Sequence, residues 1–191
     1  MASIGLASGG AFALVGGMVK SRNLRAVAWG ESQTNMTIPT GGKQILTHGL
    51  ALILAGLVWG FAPPLTPYPR LAVGAHVQFE TNGLLFVVLG ILLLKLPHHV
   101  GSGAVRVMVV SAWLTWLMAL SEAANAWWGA SQMLPVAAGQ AGAAGAAPWQ
   151  ELVVKLCHIP AALGLILSFV LLIIGFVKHL DPAEQAPMNE A

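Results

Sequence analysis

Four polar side chains fall within seven positions of an otherwise apolar stretch, and they are the residues best suited to chemistry. They are His76, Gln78, Glu80 and Asn82, at the start of a run that ends near Leu96. Such groups are costly to place in lipid, so they need a use or a partner. On a helix, His76 and Glu80 share one face and Gln78 and Asn82 share another. We interpret the cluster as a functional site; the alternative is that these groups hydrogen-bond neighbouring helices.

A second polar cluster lies between tryptophans further along the chain. Ser121, Glu122 and Asn125 fall late in a predicted helix, towards the membrane side at which the His76 segment begins. A buried carboxyl group is harder to ionise, so Glu122 could serve as a general acid or base, with Asn125 beside it. The alternative is that Glu122 lies at the lipid headgroups, next to interfacial tryptophans.

Further ionisable residues lie on two other predicted helices. His48 could be a metal or haem ligand, a proton carrier or a polar cap at the interface. Glu151 and Lys155 are spaced to pair on one helix face. His158, two residues before Pro160, is either a pocket residue or a packing histidine, because the proline frees a backbone carbonyl nearby.

The elements that must position these residues are membrane helices. Apolar residues make up 57% of the 191 positions and charged residues only 8%, and the mean hydropathy is +0.75. A soluble domain has roughly 25% charged residues. The composition therefore predicts an all-α integral membrane protein, and the few ionisable groups argue against a nucleic-acid partner. With one cysteine, Cys157, no internal disulfide is possible.

Apolar runs separated by proline-rich or glycine-rich connections predict a bundle of four transmembrane helices within residues 45–177. The expected helices are 45–61, 75–96, 105–128 and 151–177. Residues 1–44 form a poorly defined extension, because the apolar segment 4–19 is shorter than the roughly 20 residues that a span needs. Residues 178–191 are polar, and we expect a disordered tail.

Lysine and arginine residues concentrate before the first helix, between the second and third, and after the fourth. By the positive-inside bias, both termini and the middle connection are expected on the cytoplasmic side. Small residues inside the first and fourth helices, such as Gly49 and Gly164, predict close helix packing. The expected location is a bacterial inner membrane.

Taken together, several short sequence motifs resemble those of the hydroxylaminobenzene mutase family over roughly residues 45–176. These motifs are Pro69-Arg70-Leu71, Ala75-His76, Asn82-Gly83, Trp128-Gly129-Ala130, residues 133–139 and Trp149-Gln150-Glu151. The chain departs from the family at Gln78, where an acidic residue is expected, and Glu80 is displaced from that position. The chain is also, more faintly, similar to styrene oxide isomerase, through His48-Gly49, Ala75-His76 and Asn82-Gly83.

The resemblance implies a membrane isomerase that moves a hydroxyl group within an arylhydroxylamine such as hydroxylaminobenzene, giving a 2-aminophenol. It further implies haem b with His76 as the metal ligand, His48 as a second cofactor-binding candidate, and a homotrimer embedded in lipid. Asn82 then contacts the small aromatic substrate, and Glu80, Glu122 and Asn125 complete the catalytic candidates. Two alternatives stay open: an epoxide isomerase of the styrene oxide type, and a non-enzymatic haem-binding or accessory subunit.

Overall fold

The computed structural model describes residues 37–180, and this part of the chain is helical with no strand. The predictions for residues 1–36, including the segment 4–19, and for residues 181–191 lie outside the described residues. Four helices are long and apolar enough to cross a membrane. The elements in chain order are α1 (Ile38–Trp59), a short 3-10 turn (Pro63–Leu65), α2 (Pro69–Lys95), α3 (Ser102–Trp128), the short α4 (Pro135–Gln140) and α5 (Pro148–Leu180).

All four long helices begin earlier than predicted, by three to seven residues. For α1, α2 and α5 the physical reason is proline chemistry at the first turn, where the missing N–H has no helical partner to lose; α3 begins at Ser102, after Gly101, without a proline. Pro69 and Pro148 are the first residues of α2 and α5, and Pro39 stands in the first turn of α1. Two predicted residue positions move as a result. His76 lies two turns inside α2, and His48 lies in the middle of α1 instead of its first turn.

Helices α1 and α2 approach each other closely through glycines, as the small-residue pattern predicts. A Cβ added at Gly49 would lie 2.7 Å from the carbonyl oxygen of Gly83, and one at Gly83 would lie 2.8 Å from the carbonyl oxygen of Gly49. Gly90 is equally tight against the backbone of Leu46. In lipid, packing of this kind replaces the hydrophobic drive that holds helices together in water.

Helix α3 is the centre of the bundle, because it packs against α1, α2 and α5. Its buried face carries polar groups as well as apolar ones, and Ser111, Thr115, Glu122 and Asn125 are all buried. Helix α5 packs on α3 and presents large apolar side chains outward, such as Leu163 and Ile166. The prediction of an all-α, four-helix integral membrane protein is confirmed; the cytoplasmic placement of its ends stays a prediction.

Candidate functional site

The first polar face of α2 carries His76 and Glu80, and it lies against α1. His76 Nδ1 is 2.8 Å from the carbonyl oxygen of Gly56. A carbonyl can only accept, so Nδ1 carries the proton and Nε2 of the neutral ring keeps its lone pair. Nε2 lies 3.7 Å from Glu80 Oε1, and both side chains are partly exposed. The predicted pairing of these two residues on one face is confirmed.

His48 differs from His76 because its Nδ1 accepts a hydrogen bond instead of donating one. Trp116 Nε1 donates to His48 Nδ1 at 3.1 Å, and Trp113 contacts the ring edge-on, with ring centroids 4.7 Å apart. A neutral imidazole that accepts at Nδ1 carries its proton on Nε2. Of the two histidines predicted to bind a cofactor, His76 therefore presents a free ring nitrogen in this arrangement, and His48 does not.

The second polar face of α2 includes Gln78, which contacts Glu122 of α3. In the amide orientation that satisfies both groups, the Gln78 nitrogen donates to Glu122 Oε2 at 3.1 Å and Oε1 at 3.2 Å. Gln78 and Asn82 also line an open depression of about 240 Å³ on α2, together with Gly74 and the exposed residues Val77 and Thr81. We call this depression the polar cleft. The prediction that Gln78 and Asn82 share a surface separate from that of His76 is confirmed.

Asn82 is a buried residue of the cleft whose amide nitrogen lacks a hydrogen-bond partner. It is 7% exposed, and its Nδ2 has no hydrogen-bond partner among residues 37–180. A buried amide N–H without a partner costs free energy of about 1–3 kcal/mol. A residue kept in this state at the edge of a cavity is suited to donate to a bound molecule.

Glu122 lies behind the polar cleft and pairs with His158. Its Oε1 is 2.8 Å from His158 Nε2, while His158 Nδ1 is 2.8 Å from the carbonyl oxygen of Val154. Glu122 is 4% exposed and His158 5%. The structure thus shows that Glu122 is buried inside the bundle and that His158 is its partner.

Gly74 lines the cleft and has no side chain, so it leaves open space next to the carboxyl group of Glu122. A Cβ built at Gly74 would meet Glu122 Oε2 at 3.9 Å, and it would meet no other atom within 4 Å. Oε2 therefore lies on the Gly74 side of the carboxyl group, and Oε1 lies next to His158. Local sequence patterns gave no signal for this arrangement, because Glu122 and His158 are 36 residues apart.

Asn125 was predicted to act beside Glu122, but its side chain bonds the backbone of the turn that follows α3. Its Nδ2 donates to the carbonyl oxygen of Ala130 at 3.2 Å, and its Oδ1 accepts from the N–H of the same residue at 2.7 Å. Both amide atoms are used to hold the turn at Gly129, whose φ is +69°. The structure therefore gives Asn125 a role in shaping the turn after α3.

Glu151 is a second residue that shapes this region, although its spacing predicted only a pairing with Lys155 on one helix face. Its carboxylate accepts from the backbone N–H groups of Ser131 at 2.8 Å, Gln132 at 3.0 Å and Ala146 at 3.2 Å. Lys155 donates to Gln132 Oε1. Glu151 is 3% exposed, so it holds the connection between α3 and α5 from inside.

A larger apolar groove of about 530 Å³ lies on the other side of the bundle, between α1 and α3. Aromatic side chains of three helices line it, and they are Trp59, Phe79 and Trp116. Within residues 37–180, no three His, Cys, Asp or Glu side chains meet as a metal-binding group. Metal binding at the His76 face would therefore depend on the single imidazole nitrogen.

These features describe a helical membrane protein with the polar side chains of Asn82, Glu122 and His158 buried in its bundle. The family model for styrene oxide isomerase matches residues 42–177. The chain belongs to this family and is a membrane isomerase.

Two relatives are the hydroxylaminobenzene mutases HabA and HabB of Ectopseudomonas oleovorans. HabA is 32% identical over 98 residues, which cover 50% of this chain and 71% of HabA. HabB is 31% identical over 99 residues, which cover 51% of this chain and 59% of HabB. No solved structure gives a significant match. The family resemblance drawn from the sequence motifs is confirmed.

Proposed function

We propose that the protein isomerises arylhydroxylamines to 2-aminophenols. Two relatives are named as hydroxylaminobenzene mutases, and the polar cleft offers a small polar site, open to the outside of a single chain, for an aromatic molecule that partitions into lipid. The observation that carries the proposal is the buried, unpartnered Asn82 Nδ2 at the edge of this cleft, beside Gln78 and near Glu122. It can donate to the oxygen of the substrate.

The reaction is an isomerisation, so it needs no oxidant or reductant and consumes no second substrate. The hydroxylamine oxygen takes a proton, and the N–O bond breaks with its electron pair on oxygen. The oxygen then bonds the ortho carbon and gives up a proton. The hydrogen of that carbon leaves as a proton while the nitrogen gains one. A dry site that keeps oxygen and ring together favours return to the ortho position over capture by bulk water.

Asn82 and the exclusion of water act on different steps of this reaction. A hydrogen bond from Nδ2 to the oxygen strengthens as the electron pair of the N–O bond moves onto oxygen, so it stabilises the breaking bond more than the ground state. Val77 and Thr81 border the cleft and are exposed on a single chain. Lipid or a second subunit must therefore cover this face to keep water from the electrophilic ring.

Haem b on His76 is part of the proposal, and the residues fit it. The Gly56 carbonyl fixes the imidazole with its Nε2 lone pair free, which is the arrangement of a metal-ligating histidine held by a backbone acceptor. A Cβ at Gly60 would lie 3.2 Å from His76 Cε1, so glycine leaves the ring its space. When bound, haem would supply a ferric Lewis acid for the substrate oxygen.

We also propose a homotrimer in a bacterial inner membrane. Its support is the resemblance to styrene oxide isomerase and the partial exposure of His76 and Glu80 on the outer surface of a single chain. The His76 face and the polar cleft lie on different sides of α2, so one chain alone does not join them in one pocket. Mass measurement in lipid nanodiscs tests the assembly.

A second candidate function is isomerisation of an aryl epoxide to its aldehyde. The match to the styrene oxide isomerase family over residues 42–177 favours it, and Asn82 would donate to the epoxide oxygen. A paired-histidine electron-transfer subunit receives no support from the structure, because His48 Nδ1 already accepts from Trp116.

The test is a product assay on detergent-purified protein with hydroxylaminobenzene and, separately, styrene oxide, in water labelled with oxygen-18. Formation of unlabelled 2-aminophenol supports intramolecular transfer, and Asn82→Ala should lower kcat/KM about tenfold to hundredfold. Thr47→Ala, exposed on α1, is the matched control and should not change the rate. Labelled product, or no 2-aminophenol, would refute the proposal; aldehyde alone would support the second candidate.

The same preparation tests the cofactor. Absorbance spectra recorded before and after addition of dithionite should show a Soret band in the parent protein. The band should be absent from His76→Ala and present in His48→Ala. A band that survives His76→Ala would place the cofactor elsewhere.

A further inference from the structure

We propose that Glu122 and His158 form a proton carrier that takes the ortho ring proton from the intermediate and returns it to nitrogen. This inference rests on the proposed function and deepens it. It assigns Glu122 as the catalytic residue that touches the substrate, and His158 as a positioning residue that acts through Glu122.

The hydrogen bonds of His158 fix how many protons the pair holds. Nδ1 faces a carbonyl oxygen, which can only accept, so Nδ1 carries a proton. Nε2 then faces Glu122 Oε1 at 2.8 Å. A hydrogen bond there requires one proton between the two atoms, either on oxygen or on nitrogen. In both forms the pair is neutral overall, which is the form that the interior of a membrane protein can bury at least cost.

A carboxyl group with this partner can accept one more proton without becoming charged itself. When Glu122 Oε2 takes a proton from the substrate, the proton on Oε1 can move to His158 Nε2. The reverse movement gives the proton back through Oε2. The pair therefore acts first as a base and then as an acid, with the added charge held on the imidazole.

The last stage of the isomerisation needs this order of events. After oxygen has bonded to the ortho carbon, that carbon still carries its hydrogen and the nitrogen is an imine. Removal of the C–H proton onto Glu122 restores the aromatic ring. Transfer of that proton to nitrogen forms the amine, and the pair returns to its starting state. Bonds and electrons balance without an oxidant, a reductant or a co-reactant.

Glu122 does not itself line the polar cleft, so a substrate would have to reach its Oε2 through the space next to Gly74. A Cβ at Gly74 would lie 3.9 Å from Oε2, and Gly74 lines the cleft beside Gln78 and Asn82. Gln78 donates to the carboxyl group and so holds its orientation. Asn82 would bind the oxygen, while Glu122 would face the adjacent ring position.

The test uses hydroxylaminobenzene carrying deuterium at both ortho positions. In the intact protein, proton removal is fast, so the deuterated and ordinary substrates should react at nearly equal rates. Glu122→Gln keeps the shape and hydrogen bonds but cannot carry the proton; kcat should fall about hundredfold, and the deuterated substrate should become the slower of the two. His158→Gln should show the same isotope effect with a smaller loss. Unchanged kcat with no isotope effect in Glu122→Gln would overturn the inference while leaving the proposed function intact.

Gly74→Ala is the second variant, and it decides the question if Glu122→Gln does not fold. The added methyl group has 3.9 Å of room to Oε2, so it fits and leaves the pair intact while narrowing the opening. We expect normal thermal stability, reduced kcat and a new isotope effect. Gly103→Ala, with no atom within 4 Å of the added carbon, is the control and should match the parent protein. Equal kinetics in both glycine variants would overturn the inference, and an intact protein that forms no 2-aminophenol would overturn the proposed function as well.

Discussion

Gly49→Ala should destabilise the protein, because the α1–α2 crossing has no space for a methyl group. The added Cβ would lie 2.6 Å from the backbone nitrogen of Val87 and 2.7 Å from the carbonyl oxygen of Gly83. Ordinary contact begins near 3.4 Å, so the two backbones would have to separate by about 0.8 Å. Both nearest atoms belong to the backbone and cannot rotate away.

The expected cost is that of an overpacked core, about 1–3 kcal/mol. For a chain of this size the midpoint of thermal unfolding should fall by about 2–12 °C. The measurement is the fraction of protein that remains monodisperse in detergent after heating, followed by size-exclusion chromatography over a temperature series.

Gly103→Ala provides the matched comparison. Gly103 lies in the first turn of α3 with open space around it, and alanine favours a helix over glycine by about 1 kcal/mol. This variant should be as stable as the parent protein or slightly more stable. If Gly49→Ala shows the same midpoint as Gly103→Ala, the close-approach account of the α1–α2 interface is wrong.

Two further predictions concern the connection between α3 and α5. Asn125→Ala should lower the free energy of unfolding by about 1–3 kcal/mol, because it leaves the N–H and carbonyl of Ala130 without their buried partners. A thermal midpoint equal to that of Thr47→Ala would contradict this. Glu151→Gln should make limited proteolysis within residues 129–147 faster. The reason is that the new amide NH₂ would face a backbone N–H group whose hydrogen bond the carboxylate of Glu151 accepts in the parent protein. An unchanged cleavage rate would show that the charge is dispensable.

Much of the fold could be predicted because lipid imposes simple rules. Long apolar runs and small residues such as Gly49 are visible in the sequence, and each has one physical meaning in a membrane. The helix starts were predicted late, because Pro69 and Pro148 were interpreted as parts of connections. Proline breaks a helix from inside but begins one well, and the sequence alone does not say which applies.

The candidate site could be predicted only in part. The faces of α2 follow from helical geometry, so the separation of His76 and Glu80 from Gln78 and Asn82 was accessible. The partner of Glu122 was not, because contacts between α3 and α5 depend on the rotation of both helices. Asn125 and Glu151 have the same residue types as catalytic groups, and only the path of residues 129–147 shows that they bind backbone.

The bond between Glu122 and His158 also has a consequence for the biogenesis of the protein. Glu122 and His158 are both costly to leave without a partner in lipid. Gln78 of α2 bonds the carboxyl group, but only α5 brings the imidazole to it. A chain whose last helix is lost would therefore keep a buried acid without its histidine, so this bond links the correct insertion of α5 to the stability of α3.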